Sequence, residues 1–142
     1  MKSLSLYLNF DGNCKEAFTY YAQILKTAVS EAMTYAEAPP NSGMPDVGEA
    51  YQDLMMHCSI SINEKVALMG SDVAGEFCQQ FKPGNNYSIS LDVENKKEAD
   101  RIFAGMSEDG QAVMPLSKTF WGCYWGMCVD KFGIQWMISA PL

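Results

Sequence analysis

Asn13-Cys14-Lys15-Glu16-Ala17-Phe18-Thr19-Tyr20-Tyr21-Ala22 decides the fold, because a near copy follows at Asn95-Lys96-Lys97-Glu98-Ala99-Asp100-Arg101-Ile102-Phe103-Ala104. Both stretches open on Asn, carry Lys, Glu and Ala in the first turn, and close on an aromatic and an Ala. An Asn side chain at a helix start accepts from the freed backbone N–H groups, and a Glu three residues on reaches back to the cap. Asn13 with Glu16 and Asn95 with Glu98 fit that capping box. Behind the first cap, Cys14, Ala17, Phe18, Tyr21 and Leu25 share one helical face; behind the second, Ala99, Ile102, Phe103 and Met106 do.

The flanks repeat too. Leu4 to Phe10 alternates apolar and polar and predicts a strand, its Leu/Phe face packed and its Ser5/Tyr7/Asn9 face turned elsewhere. Tyr87 to Val93 alternates in the same way, with Ser5, Leu8 and Asn9 matching Ser88, Leu91 and Asp92. A second strand is expected from about Ala28 to Tyr35, then a hairpin of Met55–Asn63 with Lys65–Ser71 turning at Asn63-Glu64. The second half answers with a strand from Gln111 to Leu116, ending at Pro115, and a closing hairpin of Gly122–Val129 with Ile134–Ser139. Two copies of strand, helix and three strands follow: one at about residues 1–75, the other at about 86–142, around a shared cavity.

Between the second strand and the first hairpin, Glu37 to Asp53 is rich in Pro, Gly and acids. It predicts a loop with a short helix, read either as a solvated excursion or as a flap over the cavity mouth. Asp72 to Asn86 reads as the connector between halves, and Asp72 and Asp130 as turn residues.

The chain has 142 residues, 48% of them apolar, enough for a sizeable core in one domain or two half-size modules. No apolar run reaches membrane-spanning length and Met1-Lys2-Ser3-Leu4 opens no signal peptide, so a cytoplasmic protein without membrane contact is expected. The net charge of −7 and the scattered Lys and Arg argue against nucleic acid as a partner. The odd set Cys14, Cys58, Cys78, Cys123 and Cys128, without Cys-x-x-Cys or a Cys/His group, is neither a disulfide framework nor a zinc site.

Phe120-Trp121-Gly122, Tyr124-Trp125-Gly126 and Asp130-Lys131-Phe132-Gly133-Ile134-Gln135-Trp136 together resemble the closing motif of PhnB-like proteins of the vicinal oxygen chelate superfamily, which includes glyoxalase I, bleomycin-resistance proteins and extradiol dioxygenases. Asn9-Phe10-Asp11-Gly12-Asn13 with Glu16-Ala17 and Tyr20-Tyr21 resembles the opening motif, and His57 with Ala67-Leu68-Met69-Gly70-Ser71-Asp72 the middle one. The resemblance covers essentially the whole chain. It implies an α+β fold: two βαβββ modules forming a curved mixed sheet around a cleft, helices outside, in a homodimer. Some relatives carry a demethylubiquinone methyltransferase label, but no glycine-rich cofactor loop follows a strand here.

In metal-using relatives, His, Gln or Glu point into the cleft from the first and last strand of each module. The corresponding positions here are Ser5, Tyr7 and Asn9; Ser88, Ser90 and Asp92; Ala67 and Met69, or Val66 and Leu68; and Gln135 and Met137, or the Trp136 face. A catalytic divalent site needs about three His or carboxylate ligands, so no metal and no other cofactor is expected. His57, the only histidine, is either a strand-end residue bonded to backbone or a polar anchor or base at the cleft mouth. Trp136 suits core or dimer packing, whereas Trp121 suits a cleft wall, and the ten Met residues suit an adaptable lining. The candidate ligand-binding residues are therefore Tyr7, His57, Met69, Ser90, Trp121, Trp125 and Gln135, with no catalytic residue assigned. A small apolar or aromatic ligand bound without metal is the first expectation. A metal-free isomerase- or lyase-like enzyme using His57 with Tyr7 is the second, and a metal-dependent lyase or dioxygenase the third.

Overall fold

The computed structural model describes residues 1–43 and 46–142. It divides into two compact units, Met1–Lys82 and Pro83–Leu142. The first contains β1 (Leu4–Phe10), α1 (Cys14–Ile24), β2 (Val29–Thr34), β3 (Met55–Ser61) and β4 (Val66–Asp72), with short 3₁₀ helices at Glu49–Tyr51 and Gly75–Gln80. The second contains β5 (Ile89–Asp92), α2 (Lys96–Ser107), β6 (Gln111–Lys118), β7 (Cys123–Val129) and β8 (Gln135–Pro141). The fold is α+β. Each unit is a βαβββ module with one four-stranded mixed sheet, ordered β1-β4-β3-β2 in the first and β5-β8-β7-β6 in the second. The first strand pairs parallel with the last, and the remaining pairs are antiparallel. Among the described residues no helix is long and apolar enough to cross a membrane.

One face of each sheet is covered by its helix. In the first unit Phe10, Ile60, Leu68 and Cys58 pack with Cys14, Ala17, Phe18 and Tyr21 of α1. The Phe10 and Phe18 rings meet edge to face at 6.0 Å. In the second, Trp136, Ile138, Cys128 and Ile89 pack with Ala99, Ile102 and Met106 of α2. A fully buried side chain of this size contributes about 1.5–3 kcal/mol. The surface pair Arg101–Glu98 contributes less than about 1 kcal/mol. Apolar burial therefore decides which face the helix takes.

The two helix starts differ, which corrects the capping box predicted at Asn13. Asn95 caps α2 as expected, its Oδ1 accepting from Glu98 N at 3.0 Å. Asn13 makes no side-chain cap bond. Instead the carboxylate of Asp72, 2% exposed, accepts from Gly12 N (3.0 Å) and Cys14 N (2.9 Å) through Oδ1, and from Met55 N (2.9 Å) through Oδ2. A buried charge at a helix N-terminus with three backbone donors serves the first turn better than the short Asn side chain does. Asp72 is thus no turn residue: it ends β4 and ties β4 to the starts of α1 and β3. Asn95→Ala is accordingly expected to cost about 1 kcal/mol and Asn13→Ala almost nothing, read from the urea midpoints of the two variants.

Asp130 does hold its hairpin turn. It accepts from Phe132 N (2.8 Å) and Ile134 N (3.0 Å), and also from the buried Trp136 Nε1 at 2.8 Å. β6 runs on to Lys118, past Pro115, where the sequence predicts its end. Proline is tolerated because β6 is an edge strand that pairs only with β7, and the register shifts between Met114 and Ser117. Of the acidic loop, Met44 and Pro45 lie outside the described residues; Glu49–Tyr51 supplies its short helix.

Candidate functional site

The face of each sheet away from its helix is open, and its composition follows from strand alternation. In the first unit one row crosses all four strands: Tyr7 pairs with Met69, Met69 with Ser59, and Ser59 with Glu31. The next row starts with Asn9 opposite Ser71. His57 lies two residues before Ser59 on the same face, opposite Met33 of β2. Its Nε2 is 3.4 Å from Glu31 Oε2, and its ring centroid is 6.0 Å from that of Tyr7. Tyr7, His57 and Met69 are thus brought together. Glu31, the carboxylate partner of His57, is not signalled by the sequence, because it comes from a different strand whose register is shifted next to it.

In the second unit the open face carries a row of Ser90, Met137, Met127 and Met114, then one of Asp92, Ser139, Trp125 and Ser117. Trp121 meets Trp125 at 5.8 Å and Phe120 at 5.0 Å, both edge to face, forming an exposed aromatic cluster. Ser90 sits one row from Trp125. Gln135 lies at the hairpin end of β8, where its Nε2 donates to Gly133 O at 3.4 Å.

Cys123 borders the aromatic cluster. The Thr119 hydroxyl above all, then Ser139 and Trp121, hold its thiol below the usual cysteine range. Burial pushes Cys128 up to about 12, and the hydrogen bond with Cys58 together with burial pushes Cys14 up. Cys58 is itself buried. Among the five cysteines Cys123 is therefore expected to alkylate first. Peptide mapping after a brief iodoacetamide pulse reads this directly; earlier labelling of Cys14, Cys58 or Cys128 would contradict it.

A cavity of about 420 Å³ opens where β1 and β4 end. Asn9, Ser71 and Asp72 line it from the strands, Tyr35 from the segment after β2, and Phe77, Gln80, Phe81 and Lys82 from the segment after β4. Tyr35 is fixed as a wall by its hydroxyl, which donates to Asp72 O at 2.6 Å; burial first, and Asp72 next, raise its pKa. None of the predicted ligand-binding residues lines this cavity, although Asn9 belongs to the strand face predicted to point into a cleft. The missed contribution is the stretch after Asp72. It reads as a connector, yet residues 73–82 supply six of the ten lining residues, Phe77 and Gln80 among them from its 3₁₀ helix. Phe77 and Phe81, spaced four apart in a polar stretch, were the available signal. A smaller cavity of about 240 Å³ is lined by Tyr35, Met56 and residues of the acidic loop, including Pro39, Pro40 and Val47.

Among the described residues no group of three or more His, Cys, Asp or Glu is placed to hold a metal ion. On the open faces the first strands offer Ser5, Tyr7 and Asn9, or Ser90 and Asp92, and the last strands Ala67, Met69 and Ser71, or Gln135, Met137 and Ser139. These positions carry one carboxylate and two carboxamides among hydroxyls and thioethers.

A family model described as 3-demethylubiquinone-9 3-methyltransferase matches residues 2–139. Protein YjdN of Escherichia coli is 29% identical over 140 residues, covering 96% of this chain and 94% of that protein. Among solved structures, protein PA1353 from Pseudomonas aeruginosa is 33% identical, with a TM-score of 0.80 and coverage of 98% and 97% of the two chains. A glyoxalase/bleomycin resistance protein/dioxygenase family enzyme from Burkholderia phytofirmans shares the fold at 12% identity and a TM-score of 0.63, with coverage of 99% and 98%.

Proposed function

The chain belongs to the 3-demethylubiquinone-9 3-methyltransferase family, PhnB-like proteins of the vicinal oxygen chelate superfamily, and we propose that it binds a small, largely apolar or aromatic molecule without a metal. The observation that carries this reading is the 420 Å³ cavity at the end of the first sheet. Its size lies within the range of small-molecule sites, and its mixture of three aromatic rings with a few amide and hydroxyl groups is their usual lining. The donor chemistry of the open faces supports the metal-free part. The test is a thermal-shift screen with aromatic metabolites and antibiotics, followed by amide-shift mapping of any hit. A binder at 100 times its Kd stabilises by about 2.7 kcal/mol, which the melt resolves. A flat screen, or a stoichiometric transition metal in the purified protein, would reject the proposal.

The His57–Glu31 contact beside Tyr7 favours a second reading, metal-free acid–base catalysis. Glu31 orients the imidazole and Tyr7 supplies a second proton-bearing group. Under this reading His57→Ala abolishes turnover of whichever hit is converted, while the melting temperature stays within about 5 °C, since a partly exposed pair contributes under about 1 kcal/mol. A large loss of stability in that variant would return His57 to a structural role.

A further inference from the structure

We propose that the cavity at the end of the first sheet selects an aromatic acid, with Lys82 receiving the acid group; this rests on the small-molecule reading above. Two charged residues line the cavity, Asp72 and Lys82. Asp72 is not open to a cationic ligand. Its carboxylate is buried, and both oxygens already accept backbone N–H groups from Gly12, Cys14 and Met55. An ammonium group brought to it would have to displace those bonds and be desolvated. Lys82 is exposed at the rim and makes no salt bridge among the described residues. The polar groups left to a ligand are then the Lys82 ammonium, the Asn9 and Gln80 carboxamides and the Ser71 hydroxyl, all of which donate.

The apolar half of the lining sets the rest of the ligand. Phe77 is 47% exposed, a large ring left facing solvent. The Tyr35 hydroxyl is spent on Asp72 O, so Tyr35 offers the cavity mainly its ring. Aromatic rings together with one ammonium group and neutral donors in a single lining fit a flat apolar body that ends in a carboxylate. They do not fit a base, and a neutral molecule leaves Lys82 unused.

The experiment compares three probes of one shape: 2-naphthoate, 2-naphthalenemethanol and 2-naphthylmethylamine. Each is titrated into isotope-labelled wild-type protein and into Lys82→Gln at low salt, following the amides of Ser71, Phe77 and Gln80. Naphthoate is expected to bind about fivefold more tightly than the alcohol, as one solvated ion pair allows, and the amine most weakly. Lys82→Gln should remove the preference and leave the alcohol unchanged, and raised salt should do the same in the wild type. If the alcohol or amine binds as tightly as naphthoate, or if Lys82→Gln keeps the preference, acid selection is overturned while small-molecule binding stands. If no probe moves these amides, binding at this cavity and acid selection fall together.

Discussion

Asp72→Ala is expected to lower the stability of the first unit by about 3–5 kcal/mol. The substitution removes the acceptor of three backbone N–H groups, two of them in buried bonds. An unsatisfied buried donor costs about 1–3 kcal/mol, and the first turn of α1 loses a charge-assisted partner. Water entering at Gly12, the partly exposed donor, offsets some of this. Asp72→Asn should fall between the variant and the wild type, because one carboxamide oxygen can serve Gly12 and Cys14 while the NH₂ group confronts Met55 N–H. Urea unfolding followed by far-ultraviolet circular dichroism measures the loss. Hydrogen exchange locates it, with faster exchange at Cys14 and Met55. An Asp72→Ala protein that melts with the wild type would refute the assignment of this carboxylate as the tie between β4, α1 and β3.

Gly126→Ala is expected to cost about 3 kcal/mol in the second unit, at the upper end for an added methyl in a packed interior. A Cβ there would lie 2.8 Å from Met114 O, 2.9 Å from Leu116 N and 3.0 Å from Phe103 Cε2. The first two are backbone atoms of β6, so no side-chain rotation relieves them. Phe103→Leu in the same chain should therefore recover only a minor part. Trp121, Trp125 and Trp136 all lie in this unit, so tryptophan fluorescence follows its unfolding. Gly70 plays the matching part in the first unit, where a Cβ would meet Leu8 O and Phe18 Cε2, each at 2.8 Å. In both modules an aromatic ring of the helix rests on a glycine of the sheet. An unchanged midpoint for Gly126→Ala would mean that β6 yields at its bulge, against the close packing described here.

What could be read in the sequence was local. Alternation gave β1, β5 and both hairpins, and helical spacing gave the buried faces of α1 and α2, because each pattern lies within one element. The repeat then supplied the order of strands. What could not be read was long-range. The carboxylate that caps α1 lies 58 residues away from Cys14, and no spacing rule links them. The nearby Asn13-x-x-Glu16 pattern offered a local substitute that tertiary structure overrode. Glu31 escaped notice because its meeting with His57 depends on the register of a bulged strand. The cavity wall at Phe77 and Phe81 escaped because a connector carries no periodicity to show which way its rings turn. Tyr7, His57 and Met69 share one face only once the strand register is known, since alternation alone left Met69 and Leu68 as alternatives, and none of the three lines the cavity.

Of the two edges of each sheet, the one formed by β2 in the first and β6 in the second carries two register shifts, and β6 carries Pro115 besides. An unpaired border of N–H and C=O groups is an invitation to further strands. Breaks in its spacing, and a position with no N–H to give, deny an incoming segment a continuous ladder. The same irregularities that cost each sheet some regularity at this margin thus make β2 and β6 poor templates for fibrous growth on their side of each sheet.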